Sequence, residues 1–314
     1  MKLQQLRYLR EVERQGLNLS AAAQHLHTSQ PGISKQIKLL EDELGVEIFV
    51  RNGKRVTAIT PPGKAILAIA QRILQDAESL KQAARDFSAQ DSGKLTIATT
   101  HTQARYMLPD VVKRFTARYP QVKLNLIQGN PVQICQHAVS GLADFCIATE
   151  AIATFDELVM LPCYTWNRCV IAPPRHPILG VKALTLEAIA EYPVITYDFA
   201  FTGRSQINHA FETRGLKPNV VLTAIDSDVI KTYVALGLGI GILAKMAFDP
   251  ARDKNLRALD ASHLFESSTT RIGVPRNAYL RGYVYDFIEM FAPHLGRKTI
   301  EEAIYSKPKI DYDL

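Results

Sequence analysis

The chain has 314 residues, 47% of them apolar and 22% charged, which is enough for two or three compact domains with cores of their own. No apolar run reaches 18 residues and Met1–Arg10 carries no signal-peptide core, so a membrane span is not expected and a cytoplasmic location is. The net charge of +6 is unevenly spread: residues 1–58 hold nine Lys/Arg against six Asp/Glu, the balance of a small polyanion-binding domain joined to a near-neutral remainder.

Leu3, Leu6, Leu9 and Val12 recur at helical spacing with Tyr8 beside them. After a break at Gly16, Ser20 is positioned to cap a second helix that buries Ala22, Ala23 and Leu26. A turn at His27–Thr28 leads to Ser29 as the cap of a third helix, with Pro31 in its first turn and Gly45 at its end. Ile33, Ile37, Leu40 and Leu44 make its inward stripe; Gln30, Ser34, Lys35 and Lys38 face outward, mostly in the N-terminal half that reaches base edges in a major groove. Glu47–Val50 and Lys54–Thr57 read as strands around an Asn52–Gly53 turn, a hairpin with Arg51, Lys54 and Arg55 near its tip. Three helices followed by a basic hairpin predict a winged helix-turn-helix over 1–58.

Pro61–Gly63 opens a long helical linker over 59–89. Ile66, Ala70, Ile73, Ala77, Leu80, Ala84 and Phe87 alternate spacings of four and three, a seam for pairing with a second copy; a single amphipathic helix packed on its own domain is the alternative. From Gly93 onward short apolar runs alternate with helical ones. Strands are expected at Leu95–Ala98, Lys123–Gln128, Asp144–Ala148, Cys169–Ala172, Pro193–Thr196, Val220–Thr223, Gly241–Leu243 and Thr270–Val274, with helices at Met107–Arg118 and Pro131–Ser140. That alternation predicts parallel sheets with a ligand at the strand C-terminal ends. Loops rich in hydroxyls follow three of the strands: Thr99–Gln103, Thr149, and Tyr197–Ser205, a chemistry suited to a small anion held by neutral donors.

Other signals are discounted. Gly237, Gly239 and Gly241 lie between a helix and a strand, the reverse of a dinucleotide loop. Cys135, Cys146, Cys163 and Cys169 show no metal or redox spacing, and no catalytic motif is present, so neither a cofactor, a metal nor an enzyme activity is expected.

The segment SAAAQHLHTSQPGISKQIKLLEDELGVEIF (residues 20–49) resembles the DNA-binding domain of LysR-type transcriptional regulators nearly position for position. The resemblance implies Ser29, Gln30, Pro31, Ser34, Lys35 and Arg51 as DNA contacts, to which the exposed face and hairpin add Lys38 and Lys54. TTHTQARYMLP (99–109), ADFCIATE (143–150), LPCYTWNR (161–168), ITYDFAFTGRS (195–205) and DSDVIKTYVALGLGIGILA (226–244) are similar to the cysteine-biosynthesis activators of that family. This implies an α/β effector domain of two periplasmic-binding-protein-like subdomains over 90–296, subdomain I about 93–162 and 267–294 and subdomain II about 163–266, then a tail, 297–314. The implied effector residues are Thr100, Thr102, Gln103, Thr149, Trp166 and Thr202. The implied partners are promoter DNA with two-fold half-sites, RNA polymerase, further copies of the chain as dimer or tetramer, and an effector among N-acetylserine, O-acetylserine, sulfate and thiosulfate. A sulfonate-utilisation regulator sensing adenosine phosphosulfate is the alternative within the family; an anion-binding protein or enzyme with a DNA-binding appendage is the alternative outside it.

Overall fold

The computed structural model describes residues 1–53, 55–86, 92–149, 155–198, 203–276 and 278–305, by backbone alone at 75, 82, 83, 85, 86 and 203–205. Lys54, Phe87 and Thr202, each singled out above, lie outside the described residues. The chain divides into two compact units, 1–88 and 89–314.

In the first unit α1 (Leu3–Arg14), α2 (Leu19–His25) and α3 (Gln30–Leu44) enclose Leu6, Leu9, Val12, Ala22, Ile33, Ile37 and Leu40. Each fully buried aliphatic side chain contributes about 1.5–3 kcal/mol, so this stripe carries the unit. Asn18 rather than Ser20 caps α2: its side chain accepts the N–H groups of Ser20 at 3.0 Å and Ala21 at 3.1 Å. Ser29 caps α3 and Gly45 ends it at φ +70°, a left-handed conformation that glycine adopts without strain. Leu3 and Leu44 face solvent instead of the core; Glu41 takes the buried place beside Leu40.

The wing pairs β1 (Phe49–Asn52) with β2 (Arg55–Ile59), Asn52 opposite Arg55. Asn52 is thus still paired within the strand and Gly53 follows it at φ +61°, so the turn does not start at Asn52 as expected. The long helix α4 (Pro61–Asp86) packs Leu67, Ala70 and Leu74 into the core of this same unit. Ala70 of the expected seam is thus spent internally, Ile66, Ile73 and Ala77 are half-buried, and Leu80 and Ala84 stay exposed.

Among the described residues the second unit contains two five-stranded sheets. One has the order β4-β3-β5-β12-β6, from β3 (Ser92–Thr99), β4 (Gln121–Gln128), β5 (Phe145–Ala148), β6 (Leu158–Trp166) and β12 (Ser268–Pro275). The other runs β11-β7-β10-β8-β9, from β7 (Arg168–Ala172), β8 (Val194–Tyr197), β9 (Val220–Ala224), β10 (Ile240–Ala244) and β11 (Arg257–Asp260). Both are mixed, not parallel: β12 runs antiparallel to β5 and β6, and β7 antiparallel to β10 and β11, because each returns the chain from the other sheet. The helices α5 (Leu108–Arg118), α10 (Gly282–Phe291) and α11 (Arg297–Tyr305) cover one face of the first sheet, and α6 (Pro131–Val139) the other. α7 (Leu186–Ala190) and α8 (Gly203–Glu212) cover one face of the second sheet and α9 (Ser227–Ala235) the opposite face.

β6 keeps its pairing with β12 as far as Trp166, so the subdomain boundary drawn after residue 162 falls inside a strand. Ile300 and Ile304 of α11 are fully buried against the first sheet, so 297–305 is part of that layer and not a tail. The chain passes between the sheets at Asn167 and again over residues 261–267. Arg168, itself fully buried, fastens the two crossings by donating to the Glu266 carbonyl at 2.9 Å and the Ser268 hydroxyl at 2.9 Å.

Candidate functional site

β3 ends at Thr99, whose buried hydroxyl donates to the Ile147 carbonyl on β5, and the chain then coils directly into helix. The Ala104 N–H donates to the Thr100 carbonyl, and Gln103–Met107 forms a π-helical turn before α5 begins. Such turns are rare and concentrate at functional sites. This one directs Thr100, His101, Thr102 and Gln103 toward a cavity between the two sheets of the second unit.

The cavity, about 40 Å³, is lined by Thr100, His101, Thr102, Gln103, Pro131, Thr149 and Trp166 from the first sheet's side, and by Tyr197, Ile225 and Ala244 from the second. Five of the six expected effector residues therefore meet in one place; Thr202 is outside the described residues. Among the described residues no Lys, Arg, Asp or Glu lines it. The wall offers hydroxyls, an amide, an indole, an imidazole and a phenol, and α6 starts at Pro131 with its N-terminal end at the same wall.

Two residues there are held by the protein itself. Gln103 is buried; its amide nitrogen donates to Thr270 Oγ1 at 3.2 Å and its oxygen accepts from Tyr164 Oη, so it braces β12 and β6 as well as facing the cavity. Tyr197 Oη shares a hydrogen bond with Ser227 at 2.7 Å and accepts the Ala244 N–H at 3.2 Å, and burial pushes its hydroxyl pKa up. His101 and Tyr197 stand in the two loops read from sequence but were not singled out there; their ring chemistry attracts no notice among threonines, and their partners lie more than a hundred and about thirty residues away.

Beside the cavity a polar cluster joins the same segment to α9. Asp228 Oδ1 accepts from Tyr106 Oη at 2.6 Å and pairs with Lys231 at 3.2 Å; Oδ2 pairs with Arg105 at 3.3 Å and stands 3.9 Å from His101 Nε2. Lys231 also reaches Asp253 at 3.2 Å and lies over the Tyr106 ring at 5.1 Å. Burial raises the Asp228 pKa, but hydrogen bonds from Tyr106 and Lys231 with the charges of Lys231 and Arg105 outweigh it and the net shift is downward. Burial and the bond to Asp228 push Tyr106 up to about 12.

On the first unit, α3 exposes Ser29, Pro31, Lys35 and Lys38, with Gln30 and Ser34 half-exposed between them. Lys38 is paired with Asp42 at 3.4 Å, whereas Arg51 leans from the wing onto α3, donating to Ser34 Oγ at 3.1 Å and to Glu41 at 3.4 Å. Glu41 in turn accepts the backbone N–H groups of Ile48 and Phe49, which fixes the wing's root against the helix. All seven described members of the expected DNA set lie on α3, its cap, or the wing beside it.

Comparison with known proteins adds to this geometry. Residues 3–64 match the family described as bacterial regulatory helix-turn-helix protein, lysR family, and residues 88–296 match the LysR substrate binding domain. The chain is 57% identical over 300 residues to the HTH-type transcriptional regulator SsuR of Burkholderia cenocepacia, covering 96% of this chain and 97% of that one. It is 55% identical over 304 residues to the HTH-type transcriptional regulator CysB of the same organism, covering 97% of each. Among solved structures, the cofactor-binding domain of the Cbl transcriptional regulator superposes with a TM-score of 0.66 at 45% identity, covering 68% of this chain and 95% of that one. Full-length CbnR complexed with its target DNA, at 19% identity, shares the fold with a TM-score of 0.62 over 94% of this chain and all of that one.

Proposed function

The chain belongs to the LysR family of bacterial transcriptional regulators, and on that premise we propose that it governs sulfur-assimilation genes in response to a small anion bound in the cleft of its second unit. The observation that carries the effector site is the meeting of Thr100, Thr102, Gln103, Thr149 and Trp166 around one cavity whose described walls hold no acid and no amine. A carboxylate or sulfur oxyanion is satisfied there by hydroxyl, amide and N–H donors, which lose little to desolvation compared with a buried cation. N-acetylserine, with a carboxylate, an amide and a hydroxyl, fits that inventory, as does sulfate or thiosulfate. Identity to the relatives does not separate a cysteine-regulon activator from a sulfonate regulator, since SsuR and CysB stand at 57% and 55%.

In this proposal Ser29, Gln30, Pro31, Ser34, Lys35 and Lys38 meet the major groove and Arg51 the flanking backbone, the part also expected of Lys54, which lies outside the described residues. Ile66, Ile73, Ala77, Leu80 and Ala84 of α4 form the contact with a second copy, the two-fold arrangement that suits paired half-sites. RNA polymerase is the further partner of an activator, and the cytoplasm is where all of this occurs. Among the described residues no helix is long and apolar enough to cross a membrane.

Trp166 is the only tryptophan in the chain and lines the cavity, so its emission reports occupancy. Fluorescence and calorimetric titration of the full-length protein with N-acetylserine, sulfate, thiosulfate and adenosine phosphosulfate tests the reading. Saturable binding that Thr100→Val weakens at least tenfold supports it, and the tightest of the four assigns the branch. Binding that Thr100→Val leaves untouched refutes the site.

A further inference from the structure

Buried polar atoms in folded proteins are almost all hydrogen-bonded, so a buried one without a partner at a cavity wall marks a place for a ligand's complementary atom. Two such atoms belong to residues lining the cleft: Trp166 Nε1 and His101 Nδ1 are both buried and neither has a hydrogen-bond partner. The indole nitrogen is a donor only; the imidazole nitrogen donates when it carries its hydrogen. At the other end of the ring Nε2 stands 3.9 Å from Asp228 on α9. Asp228 is in turn held by Tyr106, Arg105 and Lys231. The ring therefore spans from the cavity to the neighbouring lobe.

We propose that His101 is a further effector-binding residue: its Nδ1–H donates to an anionic oxygen of the ligand beside the Trp166 Nε1–H, with the opposite edge of the ring facing Asp228. This rests on the cavity being the effector site. It specifies the ligand class more closely than the threonines do. The ligand presents two acceptor oxygens, one to the indole and one to the imidazole, as a carboxylate or a tetrahedral sulfur oxyanion does and a neutral alcohol or amine does not. It also gives ligand entry a direct mechanical contact with α9, because the imidazole that meets the anion is the one that faces Asp228.

The test separates the two ring nitrogens. An asparagine amide overlays Nδ1 and a glutamine amide reaches Nε2, so His101→Asn keeps the cavity-side donor and His101→Gln keeps only the side facing Asp228. Calorimetric titration of the full-length protein with N-acetylserine and with sulfate is compared for wild type, His101→Asn, His101→Gln and Thr100→Val. His101→Asn is expected to bind within about threefold of wild type, and His101→Gln about tenfold or more weaker, the scale of one hydrogen bond to a charged acceptor. Wild-type affinity in His101→Gln together with loss in Thr100→Val overturns the role of His101 and leaves the cavity standing. Equal weakening by Asn and Gln also overturns it, because the cavity-side donor then makes no difference. Unchanged binding in Thr100→Val, or no binding of either probe by wild type, overturns the cavity reading and this inference with it.

Discussion

Replacement of Glu41 separates the two jobs its carboxylate does. One oxygen accepts the N–H groups of Ile48 at 2.9 Å and Phe49 at 3.2 Å, and both of those residues are fully buried, so no water replaces the carboxylate once it is gone. The other oxygen meets Arg51 at 3.4 Å, a guanidinium that is one-quarter exposed and keeps its bond to Ser34. In Glu41→Ala two buried donors lose their acceptor at about 1–2 kcal/mol each, which gives about 3 kcal/mol. In Glu41→Gln the amide oxygen still accepts both, and only the pairing with Arg51 is weakened, a half-solvated contact of about 1 kcal/mol or less. Urea unfolding of residues 1–88, followed by far-ultraviolet circular dichroism, measures both differences. A loss below about 1 kcal/mol for alanine, or equal losses for alanine and glutamine, refutes the account of Glu41 as the acceptor that roots the wing.

Three further outcomes follow from the charges and thiols. The Asp228 carboxyl titrates below its usual value near 3.8, so its contribution to stability is full above that value and is lost as pH falls through the lower folded one. Thermal melts from neutral pH down to about pH 3 are expected to fall more steeply in wild type than in Asp228→Asn, and parallel curves would contradict this. All four cysteines are buried, with Cys163 and Cys169 pushed up to about 12 by burial, so Ellman's reagent at mildly alkaline pH should find almost no thiol in the native protein and four after guanidinium. One rapidly reacting equivalent in the native state would show that burial incomplete. Lys35→Ala is expected to cost about 1–3 kcal/mol at the operator and less on random duplex in gel-shift titrations. Equal losses on both would assign Lys35 to phosphate.

The DNA-binding unit was legible because its signals are local. Ser29, Pro31 and Gly45 mark the two ends of α3 within sixteen residues, and Ile33, Ile37 and Leu40 state which face is buried. The second unit was legible strand by strand but not in direction. β12 runs antiparallel because the chain must come back from the second sheet, a relation between residues a hundred positions apart that no window of sequence contains. β6 escaped notice because Pro162 interrupts it. The strand lies at the edge of its sheet, where a missing N–H costs no ladder bond, and edge position is a property of the assembled sheet. α10 was missed because Tyr283, Val284, Tyr285 and Phe287 favour strand; packing against the first sheet decides for helix.

The site divides along the same line. The threonines were found because hydroxyls cluster within short loops. His101 was not, because what distinguishes it is the distance to Asp228, 127 positions further on, and a buried nitrogen without a partner. Among the described residues no formal charge lines the cavity, and charge gathers next door, where Arg105, Lys231, Asp228 and Asp253 neutralise one another. On the proposed reading an anion there meets donors from the first sheet's side and the Tyr197 hydroxyl from the second, so it is bound most tightly when the two sides stand closest. The first sheet's side supplies Thr100, Thr149 and Trp166 and the second Tyr197, and the two sides are joined by the crossings at Asn167 and 261–267 and by the contacts of Tyr106 and Arg105 with Asp228. On that reading a ligand that bridges the two sides shifts the balance between wider and narrower arrangements by the difference in its affinity for them.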